Sequence, residues 1–185
     1  MSVGELAPNQ VQTLPVPAAQ AGSADVVLSL NVSSWSADRV GTFGFNRSCA
    51  QGCDPFVVTF AVGAADAQGD RTVKVSFPNR ATPAPNCAGH YGIPHGCEPG
   101  RPRGAVRVLQ GEDLTARFMT DGPLMEVFVQ HGRIAAALFT KQVGALQNAS
   151  ALHVFNQGEG KVSELVASAW SMGCGWAEPP QGVHV

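Results

Sequence analysis

Residues Glu112–Lys141 read EDLTARFMTDGPLMEVFVQHGRIAAALFTK, and the period of this stretch decides the fold. Leu114, Ala116 and Phe118 alternate with Thr115, Arg117 and Met119, the period of two that marks a half-buried strand. Asp121-Gly122-Pro123 interrupts the alternation, and two further strand segments follow, Leu124–Gln130 and Ile134–Thr140. Between them, Gln130-His131-Gly132-Arg133 has the composition of a tight hairpin turn, with Gly132 accepting positive φ.

The same period extends in both directions. Val26, Leu28, Leu30 and Val32 alternate with Val27, Ser29 and Asn31, and Val73, Val75 and Phe77 with Thr72, Lys74 and Ser76. Arg39–Asn46, Phe56–Val62, Ala105–Gln110 and Leu152–Phe155 are further strand segments, separated by turn signals such as Gly69-Asp70, Gly111-Glu112-Asp113 and Gly158-Glu159-Gly160. Roughly nine or ten short strands without any βα alternation predict an all-β fold, an antiparallel two-sheet β-sandwich of jelly-roll or concanavalin-like type. Val162, Leu165, Val166, Ala169 and Trp170 also fit the spacing of an amphipathic helix, so periodicity leaves that segment open.

Composition agrees and narrows the function classes. The chain has 185 residues, 44% of them apolar and 14% charged, which suits one domain with a packed core. With 14 acidic and 12 basic side chains it carries a net charge of −2, without the basic footprint of a nucleic-acid binder. No apolar run reaches the roughly 18 residues of a membrane helix. Met1 to Gln20 has neither the basic start nor the apolar core of a signal peptide. Residues 1–23 read as a flexible Pro/Ala-rich lead-in, 24–176 as the sandwich, and 177–185 as a tail. A Pro/Cys/His-rich loop is inserted at 78–103, where five prolines between Pro78 and Pro99 argue against a strand.

Few constellations could carry chemistry. Cys87, His90, His95 and Cys97 could close a tetrahedral zinc site, but their spacing matches no standard finger or ribbon. A Cys87–Cys97 disulfide, worth about 3 kcal/mol by chain entropy, and free thiols are the other readings. Cys49 and Cys53 could likewise clip a short turn, which leaves Cys174 over. Asn31, Asn46 and Asn148 head N-glycosylation sequons. There is no G-x-S-x-G elbow and no Gly-rich phosphate cradle, and no cofactor or metal is expected. His131 and His153 read as solvated turn and sheet residues, and Trp35, Trp170 and Trp176 as core anchors.

Three sets of residues carry a family resemblance. Asp121, the run Met125-Glu126-Val127-Phe128 and the hairpin His131-Gly132-Arg133 resemble the C-terminal β-sandwich of glycoside hydrolase family 32, the invertases, β-fructofuranosidases and fructan hydrolases. The tail LHVFNQGEGKVSELVASAWSM is similar to that family's closing strand pair, with Ala169-Trp170-Ser171-Met172 at its end. Upstream, Phe43-Gly44 falls where the opening strands have a Phe-Gly step. The resemblance covers Ala24 to Met172 and implies that the ambiguous Lys161–Met172 segment is a strand. It also favours oxidised cysteines. The chain departs from the family at His131, at Ala136-Ala137-Leu138 and in the Pro/Cys/His insertion.

The resemblance implies a glycosidase parent but brings no catalytic residue. Family members hydrolyse fructosyl bonds on a separate N-terminal five-bladed propeller, with an Asp nucleophile, a Glu acid/base and a stabilising Asp. None of those motifs occurs here: Asp54-Pro55 follows Cys53 rather than the family's residues, and Cys97-Glu98 reverses the family's order. Asp121, Glu126, Phe128, Gly132, Arg133 and Trp170 are therefore structural positions, Glu126 being a candidate to pair with Arg133 or Arg117 or to sit at an interface. The expected partner is the catalytic propeller of a parent hydrolase, with a fructose-containing carbohydrate as ligand. The parent would be secreted, vacuolar or in the cell wall if the chain belongs to a longer secretory precursor. A freestanding carbohydrate-binding or adhesion sandwich is the alternative, and it requires a solvent-facing Trp or Tyr91. A metal-binding interaction domain on the Cys87–Cys97 loop is a third reading.

Overall fold

The computed structural model describes residues 2–17, 21–48, 56–77, 102–121, 124–139 and 151–172. Among them are twelve strands and no helix: β1 (Ser2–Leu6), β2 (Val11–Thr13), β3 (Ser23–Leu30), β4 (Gly41–Ser48), β5 (Phe56–Ala65), β6 (Arg71–Ser76), β7 (Pro102–Val108), β8 (Leu114–Asp121), β9 (Leu124–Val129), β10 (Ile134–Phe139), β11 (Ala151–Asn156) and β12 (Val162–Ser171). They form two six-stranded antiparallel sheets. The front sheet runs β1-β12-β3-β8-β9-β10 and the back sheet β2-β11-β4-β5-β6-β7.

The alternation seen in sequence is the partition between core and surface. Val26, Leu28, Leu30, Leu114, Ala116, Phe118, Met125, Val127 and Val129 point inward from the front sheet. Phe43, Phe45, Val58, Phe60, Val62, Val73 and Val75 meet them from the back sheet. Phe118 joins the layers, with its ring stacked 4.2 Å from Phe45 and edge-on at 6.2 Å to Phe60.

The β9–β10 hairpin pairs Ile134 with Val129 and turns through three residues of positive φ: Gln130 (47°), His131 (56°) and Gly132 (88°). The expected φ at Gly132 is present, and two non-glycine residues share the left-handed region. Gln130 is held there by hydrogen bonds. Its Oε1 accepts from Thr115 N at 2.7 Å, and its own N–H donates to Thr115 O at 2.9 Å.

Two sequence expectations need correction. The lead-in assigned to residues 1–23 contributes an edge strand to each sheet, β1 on β12 and β2 on β11, with Leu6 and Leu14 fully buried. Each edge strand takes its hydrogen bonds from a partner roughly 140 residues or more away, a stabilisation that local composition does not reveal. Trp170, read as a core anchor, is 55% exposed, whereas Trp35 is buried as expected.

Trp170 faces outward because β12 carries a bulge. Glu164 has φ 62°, and against β1 the register steps from Gly4↔Leu165 to Leu6↔Val162. The extra residue brings both Val162 and Leu165 inward, three positions apart. That bulge also explains the helix-like spacing of this segment, which is a strand.

Candidate functional site

The outer faces of the two sheets differ in chemistry. On the front sheet, the pairings place Trp170, Asp25, Met119, Glu126 and Ala137 in one row. Ser168, Val27, Arg117, Phe128 and Ala135 form the next row. Trp170 and Val166 are 55% and 43% exposed, and Val27, Met119, Leu124 and Phe128 are half-buried. A depression of about 490 Å³ lies among Val27, Arg117, Met119, Phe128 and His131.

Two ion pairs lie on this sheet among the described residues, Lys161 with Glu5 at its β1 edge and Arg117 with Asp25 at its centre. Arg117 Nε donates to Oδ1 at 2.9 Å and Nη2 to Oδ2 at 2.6 Å, and this bidentate contact raises the guanidinium pKa. Glu126 is half-buried at the far side of Met119 and makes no hydrogen bond or ion pair among the described residues. Neither arginine considered for it is available, because Arg133 turns to Glu112 at 3.3 Å. Asp25 and Glu126 stand two strands apart, about 10 Å between backbones. Both oxygens of Asp25 are occupied by Arg117, so the two carboxylates do not form the pair about 5 Å apart that a retaining glycosidase uses.

The remaining motif residues hold the scaffold. Asp121 is exposed at the end of β8, paired with Leu124 across the turn. Gly132 and Arg133 belong to the hairpin, where Glu112 is the hub. Its carboxylate accepts from Leu109 N at 3.1 Å, from Gln130 Nε2 at 3.4 Å and from Arg133, and Arg133 Nη1 also donates to Arg107 O at 2.9 Å. Sequence reading saw Glu112 only as part of a turn. Asn31 sits in the turn after β3 and accepts from Ser34 N at 3.1 Å, whereas Asn46 lies in β4 with its carboxamide oxygen buried. Asn148, all five cysteines, His90, His95, Tyr91 and Trp176 lie outside the described residues.

The outer face of the back sheet carries Phe155 over Gly44 and, around it, mostly small and polar residues such as Ala61, Thr72 and His153. His153, read as a solvated sheet residue, is half-buried. Its Nδ1 lies 3.0 Å from Thr13 Oγ1 and its Nε2 2.9 Å from Ser48 Oγ. Burial pushes its pKa below the ordinary 6.5. The unfolded chain therefore takes up this proton first, so the stability His153 contributes is complete above about pH 6.5 and falls as pH is lowered through the folded value. The Leu109 N–H and Arg133 hold the Glu112 carboxyl below its ordinary 4.5, so its contribution is lost at lower pH still. Melting temperature measured against pH should decline in two steps, with His153→Gln removing the upper step and Glu112→Gln shrinking the lower. Asp66, held down by the Asp70 and Gln68 N–H groups and Arg107, also contributes to the lower step.

No family model matches the chain, and no curated protein matches it. Solved structures do. Fructan 1-exohydrolase IIa from Cichorium intybus superimposes with a TM-score of 0.63 at 18% identity, covering 93% of this chain and 34% of the enzyme. A variant of that enzyme in complex with 1-kestose gives 0.60 at 17% identity, with the same coverage. Over nearly all of its length, the chain thus has the fold of one part, about a third, of a fructan exohydrolase.

Proposed function

We propose that the chain is the non-catalytic accessory sandwich of a fructofuranosidase-type glycoside hydrolase of family 32, seated beside a catalytic propeller through the outer face of its front sheet. The observation that carries this reading is the extent of the match: 93% of this chain accounts for only 34% of the exohydrolase, so the rest of that enzyme has no counterpart here. The motif residues Phe128, Gly132, Arg133 and Trp170 support it, since each has a defined place in the front sheet or its hairpin.

The front face has the composition of a contact surface. Trp, Phe, Met and Arg are the residues enriched where binding energy concentrates, and here they surround a preformed ion pair. Glu126 then takes a basic side chain from the propeller. Trp170→Ala should leave the melting temperature of the isolated chain within about 1 °C, since an exposed side chain contributes little to its own domain. In the parent enzyme the same change should lower the temperature of joint unfolding by several degrees. An unchanged parent would remove Trp170 from the interface. A transcript encoding the sandwich without any preceding propeller would refute the accessory role.

Exposure of Trp170 is also the observation that favours the second reading, a freestanding carbohydrate-binding module. That reading expects glycan-dependent tryptophan fluorescence that disappears in Trp170→Ala.

A further inference from the structure

We infer that the outer face of the back sheet carries a second site, a preorganised groove for a short neutral oligosaccharide, on the sheet opposite Trp170 and independent of the accessory role. The groove holds about 490 Å³, the size of one or two sugar rings, between the ends of β4, β5 and β6 and the loop after β11.

Three backbone features create the space. Between Val62↔Val73 and Ala65↔Arg71, β5 has two residues, Gly63 and Ala64, against the single Thr72 of β6. This bulge interrupts the flat sheet at the groove floor. The Gly63 carbonyl is pinned from the core side by Arg71 Nη1 at 3.0 Å. The far wall, Gln157-Gly158-Glu159, is docked on β4, with the N–H groups of Gln157 and Gly158 both donating to Thr42 O at 2.8 and 3.0 Å.

Asn156 locks this wall from beneath. It is 1% exposed, and its Nδ2 lies 3.0 Å from Leu6 O, 3.1 Å from Ala7 O and 2.8 Å from Gly160 O, while Oδ1 accepts from Gly158 N at 2.9 Å. The loop is thus fixed before any ligand arrives, so little ordering cost remains on binding.

The lining chemistry selects the ligand. Thr42 and Thr72 offer hydroxyls that both donate and accept, Gln157 an amide that does the same, Lys74 donors and Glu159 acceptors. No ion pair joins Lys74 to Glu159, so both heads remain open to ligand hydroxyls. Ala61 and Val40, the latter 61% exposed, give the C–H face of a sugar ring an apolar rest. A neutral polyol uses donors and acceptors together, whereas a purely anionic ligand would leave Glu159 opposed to it.

The test is an amide NMR titration of the full chain with 1-kestose, maltotriose and, as a zwitterionic control, diglycine. At least one sugar should shift Thr42, Thr72 and Gln157–Glu159 with a Kd of about 1–10 mM. Lys74→Ala and Glu159→Gln, both at exposed positions, should each weaken that binding about tenfold without altering the melting temperature. Three outcomes would overturn the site: no sugar-induced shifts in the groove, shifts confined to Trp170 and its neighbours, or a response to diglycine alone. None of these bears on whether the chain accompanies a propeller.

Discussion

Replacing Arg71 with methionine is expected to lower the free energy of unfolding by about 3–4 kcal/mol and the melting temperature by roughly 10 °C. Arg71 is 2% exposed, and its guanidinium donates to four backbone carbonyls. Nη1 reaches Arg39 O at 2.8 Å and Gly63 O at 3.0 Å, and Nη2 reaches Trp35 O at 3.0 Å and Ser36 O at 2.8 Å. Burial lowers its pKa, but the four carbonyls are oriented for a cation and keep it charged. Methionine preserves much of the volume and takes the guanidinium from all four oxygens, of which Ser36 O keeps a second donor, the Arg39 N–H at 2.9 Å. The connection from β3 to β4 then loses its anchor, and with it the seat of Trp35, whose ring lies 5.9 Å from the Arg71 guanidinium. Lysine has three donors around a point charge, so Arg71→Lys should cost less, about 2 kcal/mol. Urea unfolding of the three proteins checks this, and a loss below about 1 kcal/mol for methionine would show the carbonyls re-solvated in the folded state.

Gly44→Ala should be comparably damaging, about 3 kcal/mol or more, although it adds one methyl group. A Cβ at this position would collide with the Val58 carbonyl oxygen and with the Phe155 ring. Phe155 pairs with Gly44 across β11 and β4 and lies over the bare backbone on the outer face, 6% exposed. The glycine's weakness in a strand is offset by the aromatic ring that covers it. Trimming the ring cannot relieve the clash with backbone, so Phe155→Ala should fail to rescue Gly44→Ala. Full rescue, measured as an unfolding midpoint, would place the strain in the side-chain contact alone. The Phe-Gly step noted in the sequence is therefore a packing device.

Strands β3 to β12 were largely legible because each has one buried and one open face, which writes a period of two into the sequence. That same parity contained a signal that residue type concealed. Counting back from Val75 and Val73 puts Arg71 on the inward face, yet an arginine in a strand ordinarily reads as solvent-facing. Asn156 is similar: its place beside a Gly-rich turn was visible, but its four hydrogen bonds reach residues some 150 positions away as well as its own loop. The bulge at Glu164 broke the period, imitated a helix and turned Trp170 outward. Strands β1 and β2 were hidden because their stability comes from the edges they complete. The groove on the back sheet belongs to the same class, since it arises from a register shift rather than from any motif.

The accessory role separates the sandwich from the chemistry, and that separation can be measured on the chain as it stands. Purified protein, incubated with sucrose, inulin and 1-kestose at near-neutral and mildly acidic pH, should release no fructose above the enzyme-free blank. Steady turnover that follows the protein through purification, and that is abolished by Glu126→Gln or Asp25→Asn, would contradict the account by placing a working carboxylate pair on the front sheet.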